Sequence, residues 1–214
     1  MRLFGPGGGH VKICGITSEE DALDCLEAGT DALGFNFFPG SSRHIPLESL
    51  EWIRRLNGSV DRVAVVVNPD PDLLDTLWRS GCFEMIQFHG DESPTHCKMS
   101  GVTQWMKAIR VRDDESLAES NQFSTPHILL DSWSPAAYGG TGKTADWKMI
   151  GAFVAEHPTR QFVLAGGLNP SNVAEAIRAV RPAAVDVAGG VEESPGKKDP
   201  AKVRAFLQAV RAAV

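Results

Sequence analysis

Short apolar runs alternate along the chain with longer stretches in which apolar residues recur every three or four positions. The runs lie near 11–14 (VKIC), 32–37 (ALGFNF), 61–67 (DRVAVVV), 85–88 (MIQF), 104–109 (QWMKAI), 127–131 (HILLD), 162–165 (FVLA) and 184–187 (AVDV). Each is rich in Val, Ile, Leu or Phe and bounded by Gly, Pro, Asn or Asp. That is how strands covered on both faces of a parallel sheet read. The amphipathic stretches predict helices at 18–28, 47–57, 71–80, 146–156, 170–180 and 199–213, with shorter ones at 93–99 and 114–119. Ser18 with Asp21 has the form of a capping box with Asp in the Glu/Gln place, and Asn169-Pro170 and Asp199-Pro200 put Pro at a first helical position. Gly29 and Gly58 stand where helices should end.

Alternation of this kind predicts an α/β fold, a single (β/α)8 TIM barrel, with an open doubly wound sheet as the competing architecture. The length, 214 residues, sits near the low end for such a barrel and is short for two independent domains. Residues 1–10, MRLFGPGGGH, carry no periodicity and read as a flexible extension, leaving 11–214 as the barrel domain.

Charge and composition narrow the function. A net charge of −6 argues against a nucleic-acid partner. It also means that an anionic ligand would need positive potential made locally, by backbone N–H groups and a few placed cations. No apolar run is long enough for a bilayer and the N-terminus lacks a secretory profile, so no membrane partner is expected and the cytoplasm is the expected compartment. Cys14, Cys25, Cys82 and Cys97 are scattered without a C-x-x-C pair, which argues against a zinc site or a disulfide framework. The five Trp residues read as core or helix-packing residues.

In a (β/α)8 barrel the chemistry sits at the C-terminal ends of the strands. The first run ends Lys12-Ile13-Cys14-Gly15; alternation places Lys12 and Cys14 on one face, pointing into the mouth, and Ile13 on the other. An ammonium beside a thiol lowers its pKa, although a lone Cys is also an ordinary buried hydrophobe. Asp131 ends the sixth run on the face of Leu129, where a carboxyl can act as an acid or simply cap the next loop. Gln87 and His89 share the inward face of the fourth run. Arg43, in the loop after the second run, has the fork that grips a carboxylate. Gly139-Gly140-Thr141-Gly142-Lys143 is glycine-rich without Walker spacing. Gly166-Gly167 and Gly189-Gly190 follow the seventh and eighth runs, the usual phosphate loops of such barrels.

Taken together, KICGIT (12–17), GFNFFPGSSR (34–43), VNPD (67–70), QFHGDE (87–92), LLD (129–131), GGTGKTADW (139–147), LAGGLNPSNV (164–173) and VDVAGGVEESPGKKD (185–199) resemble the phosphoribosylanthranilate isomerase family over nearly the whole chain. The resemblance implies the Amadori rearrangement of tryptophan biosynthesis, without metal or organic cofactor. It implies Asp131 as general acid, Cys14 as general base, and Arg43 on the anthranilate carboxylate. It implies Gly140, Thr141, Gly142, Gly166, Gly167, Gly189 and Gly190 at the phosphate, with Lys12, Gln87, His89 and Asp186 among the substrate-facing residues. The partner would be a small phosphorylated substrate, and the enzyme a monomer or homodimer. Two departures stand out: Ala188-Gly189-Gly190 replaces the family's Ser-Ser-Gly, and Gly40 and Ser42 stand where Lys and Pro are usual. The alternatives are indole-glycerol-phosphate synthase or another phosphosugar barrel, a dual-substrate isomerase, and a phosphate-binding paralogue that has lost activity.

Overall fold

The computed structural model describes residues 2–5, 8–56, 58, 60–132 and 146–214. In chain order its elements are β1 (His10–Cys14), α1 (Glu19–Ala28), β2 (Ala32–Asn36), α2 (Leu50–Arg55), β3 (Asp61–Val66), α3 (Pro71–Arg79), β4 (Met85–Phe88), α4 (Pro94–Met99), β5 (Trp105–Val111), α5 (Asp114–Glu119), β6 (His127–Ser132), α6 (Trp147–Glu156), β7 (Gln161–Ala165), α7 (Val173–Val180), β8 (Ala184–Val187), β9 (Glu192–Ser194), β10 (Lys197–Lys198) and α8 (Pro200–Arg211). Strands β1 to β8 form a closed parallel barrel. The seam closes where β8 pairs with β1, Val11 opposite Val185 and Ile13 opposite Val187. The barrel, and not the open sheet, is the fold.

Period-two alternation sorts the strand residues into two cores. Ile13, Phe35, Ile86, Phe88, Ile128, Leu130, Phe162, Leu164 and Val185 belong to the layer between sheet and helices. Ala32, Val63, Met85, Met106, Leu129, Val163 and Ala184 fill the barrel interior. Since each strand is buried on both faces, its sequence reads as an unbroken apolar run. Burial of each large apolar side chain contributes roughly 1.5–3 kcal/mol. Trp105 and Trp147 are buried, and Trp52 and Trp78 pack against the outer layer.

The N-terminal segment differs from the expected flexible extension. His10 already opens β1, and Leu3 is fully buried in the interior core with Phe4 packed beside it. The Leu3 N–H donates to Asp61 at 2.9 Å, and Phe4 stacks on His127 with ring centroids 4.3 Å apart. The physical reason is local. Asp61 and Ala32 lie in register at the start of β3 and β2, at the end of the barrel opposite the C-terminal ends of the strands. The side chains of Leu3 and Phe4 cover that end, a contact that no periodicity in so short a segment announces.

Helix ends largely follow their capping chemistry. The Ser18 hydroxyl accepts from the Asp21 N–H at 3.1 Å, and Gly29 ends α1 with φ 89°. The reciprocal half of that capping box is absent, because the Asp21 carboxylate accepts instead from the Lys198 N–H at 3.0 Å. Asp199 and Pro200 start α8 as expected. The helix expected from 170 begins only at Val173. There the Asn169 side chain accepts from the Ser171 N–H (2.9 Å) and hydroxyl (2.6 Å), and a side-chain turn of this kind competes with the helix. Residues 166–172 are thereby left as a loop at the mouth. The stretch expected as a helix at 47–57 is a 3-10 turn, Leu47–Ser49, followed by α2.

Candidate active site

Cys14, His89, Asp131, Asp186, Gly166, Gly167, Gly189 and Gly190 line one cavity of about 410 Å³ at the C-terminal ends of the strands. The barrel brings them together from β1, β4, β6, β7 and β8 and the loops that follow. Gly140, Thr141 and Gly142 lie outside the described residues.

On β1, Ile13 joins the outer layer while Lys12 and Cys14 turn inward, as alternation requires. Lys12 is fully buried and its Nζ donates to Asp186 at 2.8 Å across the β1–β8 seam. A Cβ at Gly34, opposite Cys14 on β2, would lie 2.8 Å from the Cys14 Sγ and 2.9 Å from the Lys12 Nζ. Glycine at that position makes room for both functional groups. Burial would lower the Lys12 pKa, but attraction to Asp186 and Cys14 outweighs it and holds the ammonium above its usual range. The thiol departs from expectation: burial pushes Cys14 up, and the opposing pull of Lys12 does not cancel it. Cys14 is nonetheless the one partly exposed cysteine; Cys25, Cys82 and Cys97 are buried free thiols.

Across the mouth, Asp131, one residue before the end of β6, has its Oδ2 3.4 Å from the His89 Nε2. The other His89 nitrogen, Nδ1, lies 2.7 Å from the amide nitrogen of Gln87, which is fully buried. The Gln87 amide and the Asp131 carboxyl bracket the imidazole on its two nitrogens and fix its plane. Gln87 thus supports His89 from below and lies behind it in the barrel wall.

The two glycine pairs differ in what they require. Gly166 and Gly167 adopt φ of 90° and 64°, which favour glycine. Gly190 instead abuts the loop after β7: a Cβ there would stand 1.9 Å from the Leu168 carbonyl oxygen. At Gly189 the nearest atoms to such a Cβ are the Arg43 Nη2 at 3.5 Å and the Glu192 Oε2 at 3.8 Å, ordinary contacts. The departure from Ser-Ser-Gly therefore includes Gly189, where a side chain has room, while the retained glycine stands where none fits.

Arg43 makes a contact that sequence reasoning missed. Its Nε and Nη2 donate to the Glu192 carboxylate at 2.7 and 2.5 Å. The Lys198 Nζ donates to the same carboxylate at 2.7 Å and to the Cys14 carbonyl at 2.6 Å. Glu192 and Lys198 lie on the β9–β10 hairpin, too short to register as strands in a hydrophobicity pattern. Arg110 was also missed, because β5 continues past Ile109 to Val111. It pairs in register with Asp131, which pairs with Ala165, so it stands on the inner face of the mouth. Arg110 lines a neighbouring cavity of about 230 Å³ together with His89.

The model of the N-(5'phosphoribosyl)anthranilate (PRA) isomerase family matches residues 11–209. The chain belongs to this isomerase family. It is 47% identical over 207 residues to the N-(5'-phosphoribosyl)anthranilate isomerase of Trichlorobacter lovleyi, covering 95% of this chain and 98% of that one. The crystal structure of phosphoribosyl anthranilate isomerase from Thermotoga maritima superposes with a TM-score of 0.83 at 40% identity, covering 95% and 98% of the two chains. A second isomerase structure, in complex with reduced 1-(o-carboxyphenylamino)-1-deoxyribulose 5-phosphate, is similar at TM-score 0.80 and 36% identity, with 95% and 98% covered. In this family member, no helix among the described residues is long and apolar enough to cross a membrane.

Proposed function

We propose that the chain converts N-(5'-phosphoribosyl)anthranilate to 1-(2-carboxyphenylamino)-1-deoxyribulose 5-phosphate, with Asp131 as general acid and Cys14 as general base. The observation that carries this reading is the shared cavity: a carboxyl on β6 and a partly exposed thiol on β1 face one space whose far wall is the Gly166-Gly167 and Gly189-Gly190 loops. Asp131 gives its proton to the ribose ring oxygen as the C1'–O bond breaks, and the amine lone pair forms the Schiff base. Cys14, once its thiol has lost its proton to solvent through the open mouth and stands as the thiolate beside Lys12, then takes the C2' proton, and the electrons of that C–H bond move to give the enolamine. Reprotonation at C1' and loss of the C2' hydroxyl proton give the ketone. Each proton transfer by a positioned group contributes roughly 10²–10⁴-fold.

The remaining residues position the substrate. Backbone N–H groups of the two glycine loops hold the phosphate, and the Gly140-Thr141-Gly142 segment is assigned to the same anion by the family pattern. Arg43 holds the anthranilate carboxylate. His89, supported by Gln87, fixes the Asp131 carboxyl, while Lys12, held by Asp186, supports the thiolate. Arg110 adds a cation at the mouth of a chain whose net charge is −6. The substrate is a small phosphorylated molecule, and the working form is a monomer or homodimer in the cytoplasm.

The test is turnover of substrate generated in situ, followed by loss of its anthranilate fluorescence. Wild type should turn over, and Cys14→Ser and Asp131→Asn should each lose roughly 10²–10⁴-fold in kcat. Near-normal turnover in either variant removes that residue from its role. A folded wild type without turnover favours a phosphosugar-binding paralogue.

A further inference from the structure

We infer that Glu192 is a positioning residue for ligand recognition, fixing the Arg43 guanidinium so that its remaining edge meets the substrate carboxylate. The inference rests on the proposed role of Arg43 and adds the residue that makes that role geometrically specific.

A guanidinium has two edges able to grip a carboxylate with paired N–H donors, one made by Nε and one Nη, the other by the two Nη atoms. Arg43 spends its Nε–Nη2 edge on Glu192. The second edge has no protein partner among the described residues. The side chain is 27% exposed, whereas that of Glu192 is 4% exposed. The stem of Arg43 crosses the end of β1, since a Cβ at Gly15 would lie 2.4 Å from its Cδ. Its Nη2 reaches the loop after β8, beside Gly189. The guanidinium thus lies between the strand carrying Cys14 and the glycine loop assigned to phosphate.

Glu192 is itself held. Lys198, 1% exposed, binds its Oε1 and also donates to the Cys14 carbonyl and, at 3.4 Å, to that of Ala188. The Lys202 ammonium takes the Glu192 main-chain oxygen at 2.7 Å. Burial would raise the Glu192 carboxyl, but its hydrogen bonds to Arg43 and Lys198 hold it below the usual range, so it stays charged. One carboxylate therefore ties the carboxylate-recognising fork to the backbone of the base-bearing strand and to the start of the phosphate loop. The spacing of these three subsites is set by the protein before a ligand arrives. Arg43, Glu192 and Lys198 together carry a net charge of about +1, enough to favour an incoming anion.

Two effects of removing Glu192 oppose each other. Its charge repels the ligand carboxylate across the guanidinium, but its hydrogen bonds aim the fork. Charge-assisted paired hydrogen bonds are strong and directional, while repulsion at a partly exposed site is screened, so the aiming effect should win.

The experiment measures binding by calorimetry of two reduced product analogues, one bearing the 2-carboxyphenyl group and one a plain phenyl group. In wild type the carboxylate should improve affinity by about 10- to 100-fold. In Glu192→Gln that preference should fall to within a few-fold, with KM rising more than kcat falls. Arg43→Lys should lose the preference too, and adding Glu192→Gln to it should change little further, because both act through one fork. If wild type does not prefer the carboxylate, the role of Arg43 is wrong while turnover can still stand. If wild type prefers it and Glu192→Gln keeps or sharpens the preference, Glu192 is not a positioning residue. Should Glu192→Gln fail to fold, Glu192→Asp keeps the charge but not the reach to both cations and should show a partial loss; an undiminished preference there would also overturn the inference.

Discussion

Gly190→Ala should damage this enzyme far more than Gly189→Ala, although the two residues are adjacent. A Cβ at Gly190 would stand 1.9 Å from the Leu168 carbonyl oxygen, 2.9 Å from the Leu168 carbonyl carbon and 3.0 Å from the Asn169 Cα. Ordinary contact begins near 3.4 Å, so the loops after β7 and β8 would have to part by roughly 1.5 Å. The atoms in the way are backbone and cannot rotate aside. Both loops carry the N–H groups assigned to phosphate, and displacement on the order of 1 Å can cost about 10²-fold. At Gly189 the corresponding contacts are 3.5 and 3.8 Å, so a methyl group fits. The assay is steady-state isomerase kinetics with inorganic phosphate as a competing ligand. Gly190→Ala should lose about 10²-fold in kcat/KM and bind phosphate more weakly, with a smaller loss of at least tenfold less in Gly189→Ala. Equal losses, or a nearly normal Gly190→Ala, would refute the argument that backbone approach, and not hydroxyl donors, is what the third position of this loop protects.

Two further predictions test the buried charges. Lys12→Met removes the cation that opposes burial at Cys14, so the thiol should titrate at still higher pH; iodoacetamide labelling of the Cys14 peptide against pH, read by mass spectrometry, should shift its rising limb upward, and an unmoved or lowered limb would dissociate Lys12 from the thiolate. Glu92, bonded to Lys107 at 2.7 Å, is held below the usual 4.5 despite burial pushing it up. A lowered folded pKa stabilises above the unfolded value and is lost as pH falls through the folded one. Glu92→Gln should therefore cost about 3–5 kcal/mol near neutral pH by leaving the buried Lys107 ammonium without its counter-ion, its bond to the Gly90 carbonyl remaining, and the gap from wild type in urea melts should narrow below about pH 4.5; a gap independent of pH would count against this linkage.

The barrel was legible because both faces of every strand are covered. Stretches such as ALGFNF and DRVAVVV can only be strands that meet helices on one side and a filled interior on the other. Helix starts were legible where one side chain does the capping, as at Ser18 and Asp199. They failed where a side chain had a rival partner. Asn169 closes a turn instead of opening α7, and Asp21 leaves its capping box for the Lys198 backbone, 177 positions away. The N-terminal segment failed for a related reason: Leu3 is held by the open end of a closed barrel, a feature that exists only once all eight strands are assembled.

The candidate site divides along the same line. Position at a strand end and the parity of alternation were enough to turn Lys12, Cys14, Gln87, His89 and Asp131 inward, because each depends on its own strand alone, whereas Asp186 came only with the family resemblance. Parity would also have found Arg110, had the fifth run not been cut at Ile109 where the apolar residues pause. Nothing local points to Glu192 or Lys198. Both lie in a charged stretch that reads as a solvated loop, yet both side chains are almost wholly buried, paired with each other and, through Glu192, with Arg43, 149 positions earlier. A buried charge is stable only where partners converge on it, and convergence is a property of the closed fold. The groups that do proton chemistry are therefore readable from single strands, whereas the groups that set the spacing between subsites become visible only when the first and last strands meet.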